Sequence, residues 1–294
     1  MQNGKTVFVT GATGNQGGAV TRHLLARGFG VKALTRDPGS PKAMSLAAGN
    51  VAIVKGDLND PQSYQDHLKN ADAVFCCLQL TTKTDQEVRQ GKALVSLAAG
   101  AGIKHFIYSS VIGCDRGTGI PHWESKKEIE DHLKISGMNY TILRPSSLYE
   151  NLLIPAVKNR IQKGKLVLPT RADTVQQFIS AEDIGMISAI IFSDPQQYKD
   201  RTITLASGQL DGKELATVFS RVMQRDIKFQ QLPGLIVRLV MGKDLAKMFR
   251  WVNQNDAVFV KDLEGFKKEF PGMLTTEKWI ENNFMQVPPV AGIN

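Results

Sequence analysis

Short runs of nearly continuous apolar residues, such as VFVT, VAIV, AVFCCL and HFIY, alternate with longer helical stretches through the first half of the chain. A strand that helices cover on both faces of its sheet has this pattern, whereas a half-exposed strand alternates apolar and polar positions. The predicted strands are Lys5–Thr10, Val31–Arg36, Val51–Lys55, Asp72–Leu78, His105–Ser109 and Asn139–Arg144. The predicted helices between them are Gly17–Arg27, Lys42–Ala48, Gln62–Lys69, Asp85–Ala99 and Glu124–Ile135. The succession predicts an α/β protein with a doubly wound parallel sheet.

The alternation becomes less regular after Arg144-Pro145. The predicted strands of this second half are Leu166–Pro169, Val175–Ser180 and Thr202–Ala206. The predicted helices are Glu182–Phe192, Gly212–Met223, Gly234–Asn253, Val260–Phe270 and Thr276–Asn283. This mixture predicts a smaller α+β region that covers a ligand crevice rather than a separate binding module.

Composition narrows the class of protein. Of the 294 residues 42% are apolar, which is enough for a packed core. Three cysteines are too few for a disulfide framework and indicate a reducing compartment. The opening residues lack the apolar stretch of a secretory signal, and no run approaches the roughly 18 apolar residues of a spanning helix. We therefore expect a cytoplasmic protein with no membrane partner.

The net charge of +8 at pH 7 is compatible with nucleic acid, an anionic membrane surface or a phosphorylated ligand as partner. The basic residues are scattered, however, and Lys126 and Lys127 are followed at once by Glu128, Glu130 and Asp131. Spread charge of this kind is typical of a solvated surface. No helix-turn-helix or zinc pattern stands out, so the sequence argues against nucleic acid and predicts no metal site.

The sharpest chemical feature is VFVTGATGNQGGAV, in which a predicted strand runs into three glycines and a helix begins. Gly11 permits a tight turn, Gly14 lets the backbone approach a pyrophosphate, and Gly17 lets helix and strand pack closely. The exposed amides and the positive end of the helix would then hold the diphosphate. The predicted binding residues of this loop are Gly11, Thr13, Gly14, Asn15, Gln16 and Gly17. A glycine triplet alone is compatible with a simple turn, but strand, loop and helix together predict a Rossmann-type NAD(P)-binding domain.

The end of the second strand distinguishes the two nicotinamide cofactors. An acidic residue there accepts the ribose 2′-hydroxyl of NAD, whereas an arginine accommodates the 2′-phosphate of NADP. The chain has Arg36 followed by Asp37, and the planar fork of arginine suits phosphate. A register slip of one residue would exchange the two roles, and Arg36 could also be a surface residue. The arginine favours NADP(H) over NAD(H).

Domain bounds follow from these features. Residues 1–150 are predicted to form the NAD(P)-binding domain, to which residues of about 173–206 return. Residues 151–172 and 207–294 are predicted to form the smaller substrate or partner region.

Several further blocks resemble one family. They are TGATGNQG, GDLND, HFIYSS, PHWESKKEIE, YTILRPSSLYEN and QFISAEDIG. In this order, from about Lys5 to Phe192, the chain resembles the NmrA-like branch of the atypical short-chain dehydrogenase/reductases. The glycine motif is common to that superfamily, whereas the later blocks are more diagnostic.

The resemblance implies roles for particular residues. Asp57 and Leu58 would flank the adenine, and Arg36 would meet the 2′-phosphate. The segment after Arg144-Pro145 would line the nicotinamide end, with Tyr149 and Asn151 nearby. The family includes NADP(H)-dependent reductases of quinones and dyes, and also redox-sensing regulators that bind the dinucleotide and perform no chemistry.

The helix predicted at Glu124–Ile135 helps to distinguish a reductase from a non-catalytic regulator. Ordinary short-chain reductases carry Tyr-x-x-x-Lys there; the lysine contacts the nicotinamide ribose and the tyrosine supplies a proton. This chain has His122 and Lys126 at that spacing, so the lysine is retained and the usual acid is missing. His122 either donates a proton, orients a substrate oxygen or simply lies at the start of the helix. For Lys126 the ribose role is favoured over a surface pair with Glu130.

Other candidates lie at the carboxyl ends of the predicted strands. Ser109 or Ser110 either holds a substrate carbonyl, a role we assign to Ser110, or satisfies amides of the following turn. Cys76 and Cys77 are interpreted as core residues rather than redox groups. Gln79, just beyond them, is better placed for the cofactor.

Two functions remain open at this point. The first is an NADPH-dependent reductase that transfers hydride to a conjugated small molecule of quinone or dye type, for which no dedicated acid is needed. The second is a non-catalytic NADP(H) sensor that acts through protein partners. We expect a small-molecule acceptor in the first case, a protein partner in the second, and a monomer or homodimer in either.

Overall fold

A computed structural model describes residues 4–79 and 83–285 of the protein. They form two compact units. The first joins the described residues up to Pro145 to Ala181–Leu205, and the second joins Ser146–Ser180 to the described residues from Ala206 onward.

The strands and helices are numbered here in chain order. The strands are β1 Thr6–Val9, β2 Gly30–Thr35, β3 Ala52–Lys55, β4 Ala73–Cys77, β5 His105–Ser109, β6 Tyr140–Pro145, β7 Ser147–Leu148, β8 Lys165–Leu168, β9 Gln176–Ile179, β10 Arg201–Leu205, β11 Gly208–Leu210 and β12 Lys228–Gln231. The α-helices are α1 Asn15–Ala26, α2 Pro41–Ala48, α3 Gln65–Leu68, α4 Thr84–Gly100, α5 Pro121–Lys134, α6 Pro155–Gln162, α7 Ala181–Ser193, α8 Gly212–Met223, α9 Gly234–Asn255, α10 Leu263–Glu269 and α11 Thr276–Ile280. Short 3₁₀ turns at Pro61–Ser63 and Tyr149–Leu153 and a π turn at Glu281–Met285 complete the set.

The first unit contains a seven-stranded sheet in the order β10-β6-β5-β4-β1-β2-β3. Every neighbouring pair is parallel, with Val7 opposite Val31 on one side and Ala73 on the other. Helices pack against this sheet and bury its apolar runs, including Phe8, Phe75 and Phe106. This Rossmann-like architecture confirms the predicted fold class. Because β1 lies between β2 and β4, the chain reverses direction across the sheet at β1, where such sheets form a ligand crevice at their carboxyl edge.

The second unit has a core of its own. Three short strands pair in the order β11-β9-β7, and β12 pairs with β8 in a separate two-stranded sheet. The apolar core between them contains Tyr149, Phe178, Leu215, Phe219 and Trp279.

The unit boundaries differ from the predicted domain bounds at two places. Residues 146–150 and 173–180 belong to the second unit, although they were predicted to lie in the dinucleotide-binding domain. The reason is strand pairing: β7 and β9 pair with each other rather than with the large sheet. The return to the first unit therefore begins at Ala181 and ends at Leu205.

Several predicted helices differ in detail. The helix α5 begins at Pro121 rather than Glu124, so His122 lies in its first turn. The stretch predicted as Gly234–Asn253 is interrupted at Gly242, whose φ of 86° and ψ of 173° are not helical. Within the described residues, none of the helices is long and apolar enough to cross a bilayer.

Candidate functional site

The glycine loop lies between β1 and α1. Its turn is closed by the Gly14 N–H, which donates to the Gly11 carbonyl at 2.9 Å. Gly14 is the N-cap of α1, has no side chain to cap the helix, and no acidic residue follows in the first turn. The leading amides of α1 are therefore left for an external acceptor, which makes this turn suited to an anion.

The three glycines lie where a side chain would be strained or crowded, to different extents. Gly11 has a φ of +67°, and a Cβ there would lie 3.1 Å from the Cys77 carbonyl oxygen. A Cβ on Gly17 would lie 2.5 Å from the Gly11 carbonyl carbon and 2.8 Å from the Ala12 nitrogen, which is a severe clash. A Cβ on Gly14 would come within 3.2 Å of the Gly11 oxygen. The loop thus forms a cradle that side chains would fill, and it fits the diphosphate of a dinucleotide.

Neighbouring strands fix the loop in place. The Thr10 hydroxyl donates to the Cys77 carbonyl at 3.0 Å and accepts from the Cys77 N–H at 2.9 Å, which joins the ends of β1 and β4. The Ser109 hydroxyl donates to the Gln16 side-chain oxygen at 2.6 Å. Gln16 of the predicted site is therefore oriented by the end of β5, and Thr13, half-buried, and Asn15, exposed, lie in the same loop.

Arg36 and Asp37 differ in what their side chains contact. The Asp37 carboxylate accepts from the Gly39 N–H at 3.0 Å within its own turn. Arg36 is exposed, and within the described ranges its guanidinium forms neither an ion pair nor a hydrogen bond. Both side chains are exposed, but Asp37 is engaged in its own turn through one carboxylate oxygen, whereas Arg36 can meet a ligand without giving up a hydrogen bond.

The predicted adenine residues follow β3. The Asp57 carboxylate accepts from the Asn59 N–H at 2.9 Å and from the Asn59 side-chain amide at 3.0 Å. The Asn59 oxygen in turn accepts from Gln86 at 2.6 Å and Gln90 at 2.9 Å on α4. Leu58 packs against the core of the first unit. Gln79 is exposed at the end of the described segment that follows β4.

Lys126 lies in a buried environment that the sequence did not indicate. Its ammonium donates to Glu87 Oε1 at 2.5 Å, and the Ser125 hydroxyl donates to Glu87 Oε2 at 2.8 Å. The side chains of Lys126 and Glu87 are 8% and 0% exposed. The ammonium also lies 5.7 Å from the centre of the Tyr108 ring, within cation–π range. The surface pair with Glu130, the alternative considered for Lys126, is therefore wrong.

His122 and Lys126 lie on the same buried face of α5, as their spacing predicted. His122 is 4% exposed, and its ring meets Trp123 edge-on at 6.3 Å. The two side chains thus lie one helical turn apart on α5. A catalytic role for either residue stays a prediction.

A second buried cluster surrounds Glu130. Its carboxylate accepts from Arg144 at 2.9 Å and 2.6 Å, from the Ser110 hydroxyl at 2.6 Å and from the Cys114 thiol at 3.1 Å. Burial by itself would raise the pKa of Glu130, but the Arg144 and Ser110 hydrogen bonds outweigh it and lower the pKa. Burial raises the pKa of the Cys114 thiol to about 12, with Glu130 adding to the effect. In this structure the Ser110 hydroxyl holds a carboxylate, so a role on a substrate carbonyl requires that bond to be exchanged.

The two cysteines of β4 are not activated thiols. Cys76 is fully buried in the core, which confirms its interpretation as a core residue. Burial raises the pKa of both Cys76 and Cys77, so the reactive thiolate form is disfavoured.

Tyr149, predicted to bind the cofactor near its nicotinamide end, lies in the core of the second unit. Its ring stacks on Phe178 at 5.2 Å and on Trp279 at 5.1 Å, and its hydroxyl is 2.6 Å from Thr276 Oγ1. A fully buried ring with both faces covered offers no surface to a ligand. Asn151, two residues on, is exposed in a 3₁₀ turn.

Sequence reasoning missed Glu87 and the Glu130–Arg144 pair. One feature of the sequence could have indicated Glu87: it is a charged residue on the apolar face of a predicted helix. In the structure it shares the buried face of α4 with Gly91, Leu94, Val95 and Ala98. A carboxylate in such a position must find a cationic or hydrogen-bonding partner. The partner itself could not be identified from the spacing, because it lies 39 residues away.

The all-parallel sheet and the glycine loop at its carboxyl edge define a Rossmann-like protein. The sequence matches the NmrA-like family over residues 3–278, so the chain belongs to that family, as its motifs predicted. A relative is the NAD(P)H azoreductase of Xenophilus azovorans, which is 30% identical over 227 residues, 76% of each protein.

Two solved structures share the fold. One is the Citrobacter sp. triphenylmethane reductase complexed with NADP(H), with a TM-score of 0.81 and 19% identity over 95% of this chain and 100% of that chain. The other is Nmra, a negative transcriptional regulator, in complex with NAD, with a TM-score of 0.80 and 23% identity over 97% of this chain and 96% of that chain.

Proposed function

We propose that the protein is an NADPH-dependent reductase that delivers hydride to a conjugated small molecule of quinone or dye type. The observation that carries this proposal is the uncapped, non-acidic start of α1 beyond a glycine cradle, together with Arg36 left available at the end of β2. The azoreductase relative and the triphenylmethane reductase neighbour support the acceptor class.

In this proposal the amides of the glycine loop hold the diphosphate, and Arg36 meets the 2′-phosphate. Lys126 binds the nicotinamide ribose, and Glu87 fixes the position of its ammonium. The bound nicotinamide would supply the hydride to the acceptor. Because the acceptor is conjugated and spreads the incoming charge, a proton from solvent completes the two-electron reduction, which is compatible with His122 in place of tyrosine.

A second function is favoured by one specific observation, the absence of tyrosine four residues before Lys126. A protein that binds NADP(H) and performs no chemistry would be a sensor read by a protein partner. The fold shared with the regulator Nmra is compatible with it.

Turnover separates the two functions. The purified chain is assayed for NADPH oxidation against a panel of quinones, azo dyes and triphenylmethane dyes, with calorimetric titration of NADPH in parallel. The reductase proposal expects acceptor-dependent oxidation above the enzyme-free rate. Tight NADPH binding with no oxidation against any acceptor would contradict it and favour the sensor.

A further inference from the structure

The first half of α9, residues 234–241, exposes apolar side chains to solvent. Leu235, Leu239 and Val240 are 72%, 77% and 75% exposed, and Ile236 is 42% exposed. The one fully buried side chain of this half is Val237. A surface helix normally buries its apolar face, so this segment has the inverted pattern of a helix that meets an apolar surface outside the unit.

The four exposed residues form one continuous patch, which we term the α9 apolar face. Positions i, i+1, i+4 and i+5 of a helix project to one side, and Leu235, Ile236, Leu239 and Val240 have this spacing. Val237 and Met241 lie on the opposite side, toward the unit.

Cationic groups border the α9 apolar face. A groove of about 480 Å³ is lined by Leu235, Phe249 and three arginines, Arg171, Arg238 and Arg250. Arg171 pairs with Asp173. Arg238 and Arg250 are exposed, and neither contacts an acidic or polar partner among the residues at 4–79 and 83–285.

The second half of α9 extends this charge. Lys243, Lys247 and Arg250 are exposed at i, i+4 and i+7, on one side of the helix. Asp244 is the one acidic residue of α9, and the whole chain carries a net charge of +8.

The segment before the interruption at Gly242 carries the α9 apolar face, and the segment after it carries exposed cations. The groove lined by Leu235, Arg238 and Arg250 brings apolar and cationic surface together, a combination that suits the interface of an anionic bilayer.

We propose that α9 binds the surface of an anionic phospholipid bilayer. The α9 apolar face enters the headgroup and acyl boundary, and Arg238 and Arg250 bind lipid phosphate at the groove. This proposal replaces the expectation of no membrane partner. It is compatible with the described helices, none of which is able to span a bilayer, because a helix that lies in the interface does not need to span it. It is independent of the proposed reductase function.

A second copy of the chain fits this surface less well. Two copies would bring their cationic groups together, which charge repulsion opposes. Four side chains on two helical turns also offer less surface than the roughly 800 Å² per partner of a specific interface.

The test measures sedimentation of the full chain with vesicles of pure phosphatidylcholine and with vesicles in which roughly a third of the lipid is phosphatidylserine. Two variants separate the contributions: Leu235→Gln/Leu239→Gln removes apolar surface, and Arg238→Gln/Arg250→Gln removes charge. Matched controls are Met44→Gln/Ile135→Gln and Lys163→Gln/Lys199→Gln, all exposed positions elsewhere. Circular dichroism and NADPH titration check that each variant is folded.

We expect binding to the phosphatidylserine vesicles that weakens with salt. Loss of two cations should lower the partition coefficient about 30-fold, the leucine variant should lower it by at least about 10-fold, and both controls should bind as the parent does. Equal binding to both vesicle types, or equal loss in the controls, would overturn the proposal. Self-association without lipid that disappears in the leucine variant would overturn it in favour of a second copy. Binding to polyglutamate but not to vesicles would overturn it in favour of an acidic protein partner.

Discussion

Glu87 on α4 and Lys126 on α5 form a buried ion pair, with 2.5 Å between Oε1 and Nζ. The two helices approach closely because Gly91, one turn after Glu87, has no side chain: a Cβ there would lie 2.6 Å from the Ile129 side chain. The lysine that the family resemblance assigns to the nicotinamide ribose is thus held by a carboxylate from another helix.

This pair predicts separable effects on stability and on cofactor affinity. Lys126→Met leaves the Glu87 carboxylate buried without its cation, which should cost about 3–5 kcal/mol in the free energy of unfolding. Lys126→Met/Glu87→Gln removes both charges and should recover most of that loss. If Lys126 binds the ribose, both variants should weaken NADPH at least about 10-fold, since each lacks a charge-assisted hydrogen bond.

Urea unfolding without cofactor and calorimetric titration of NADPH measure the two quantities. Glu87→Gln alone is the comparison variant: it leaves the buried ammonium without its carboxylate, so it should also lose stability, but it keeps the lysine and should weaken NADPH binding less than the two Lys126 variants do. A double variant that regains stability together with full NADPH affinity would assign Lys126 a purely structural role.

Arg36 should distinguish the two nicotinamide cofactors. Arg36→Ala is expected to weaken NADPH binding about 10-fold or more and to leave NADH binding nearly unchanged, because only NADPH carries the 2′-phosphate. Asp37→Asn is the neighbouring control and should preserve the preference, since Asp37 contacts its own turn. Equal weakening of both cofactors by Arg36→Ala would exclude the 2′-phosphate role.

His105 predicts an acid dependence of stability. The Thr141 hydroxyl donates to the Tyr198 carbonyl, so it accepts from His105 Nε2, and His105 Nδ1 is buried without a partner among the described residues. Desolvation lowers the pKa of His105 from 6.5 to about 4, against a smaller opposing effect of Asp200. Because the folded pKa lies below the unfolded one, the stabilisation is complete above pH 6.5 and is lost as the pH falls toward 4.

His105→Gln removes this titration and retains a donor to Thr141. The free energy of unfolding of the parent should fall by about 3 kcal/mol more than that of the variant between those two pH values. Urea unfolding at a series of pH values measures the difference. Parallel pH profiles would show that His105 is protonated equally in the folded and unfolded states.

The sequence predicted those elements whose structure depends on neighbouring residues in the chain. Continuous apolar runs such as that at His105–Ser109 predicted strands covered on both faces. The three glycines between a predicted strand and a predicted helix predicted the loop between β1 and α1. Tyr149 could not be placed in this way, because its burial depends on Phe178 and Trp279, which come from distant segments. The partner of Lys126 was missed for the same reason.

Domain bounds also depend on pairing that the sequence does not display. The run at Val175–Ser180 was correctly predicted as a strand, but nothing in its residues indicates that β9 pairs with β7 and β11 instead of the seven-stranded sheet.

The central claim is that the loop at Gly11–Gly17 holds the diphosphate of a nicotinamide dinucleotide. The most direct measurement is calorimetric titration of the folded chain with NADPH, NADP⁺, NADH and NAD⁺, repeated with Gly14→Ala, which places a methyl group in the cradle 3.2 Å from the Gly11 oxygen. We expect saturable binding, tightest for NADPH and NADP⁺, which carry the 2′-phosphate. Gly14→Ala should weaken the binding of all four cofactors markedly. No binding of any of the four to the folded parent chain would contradict the account.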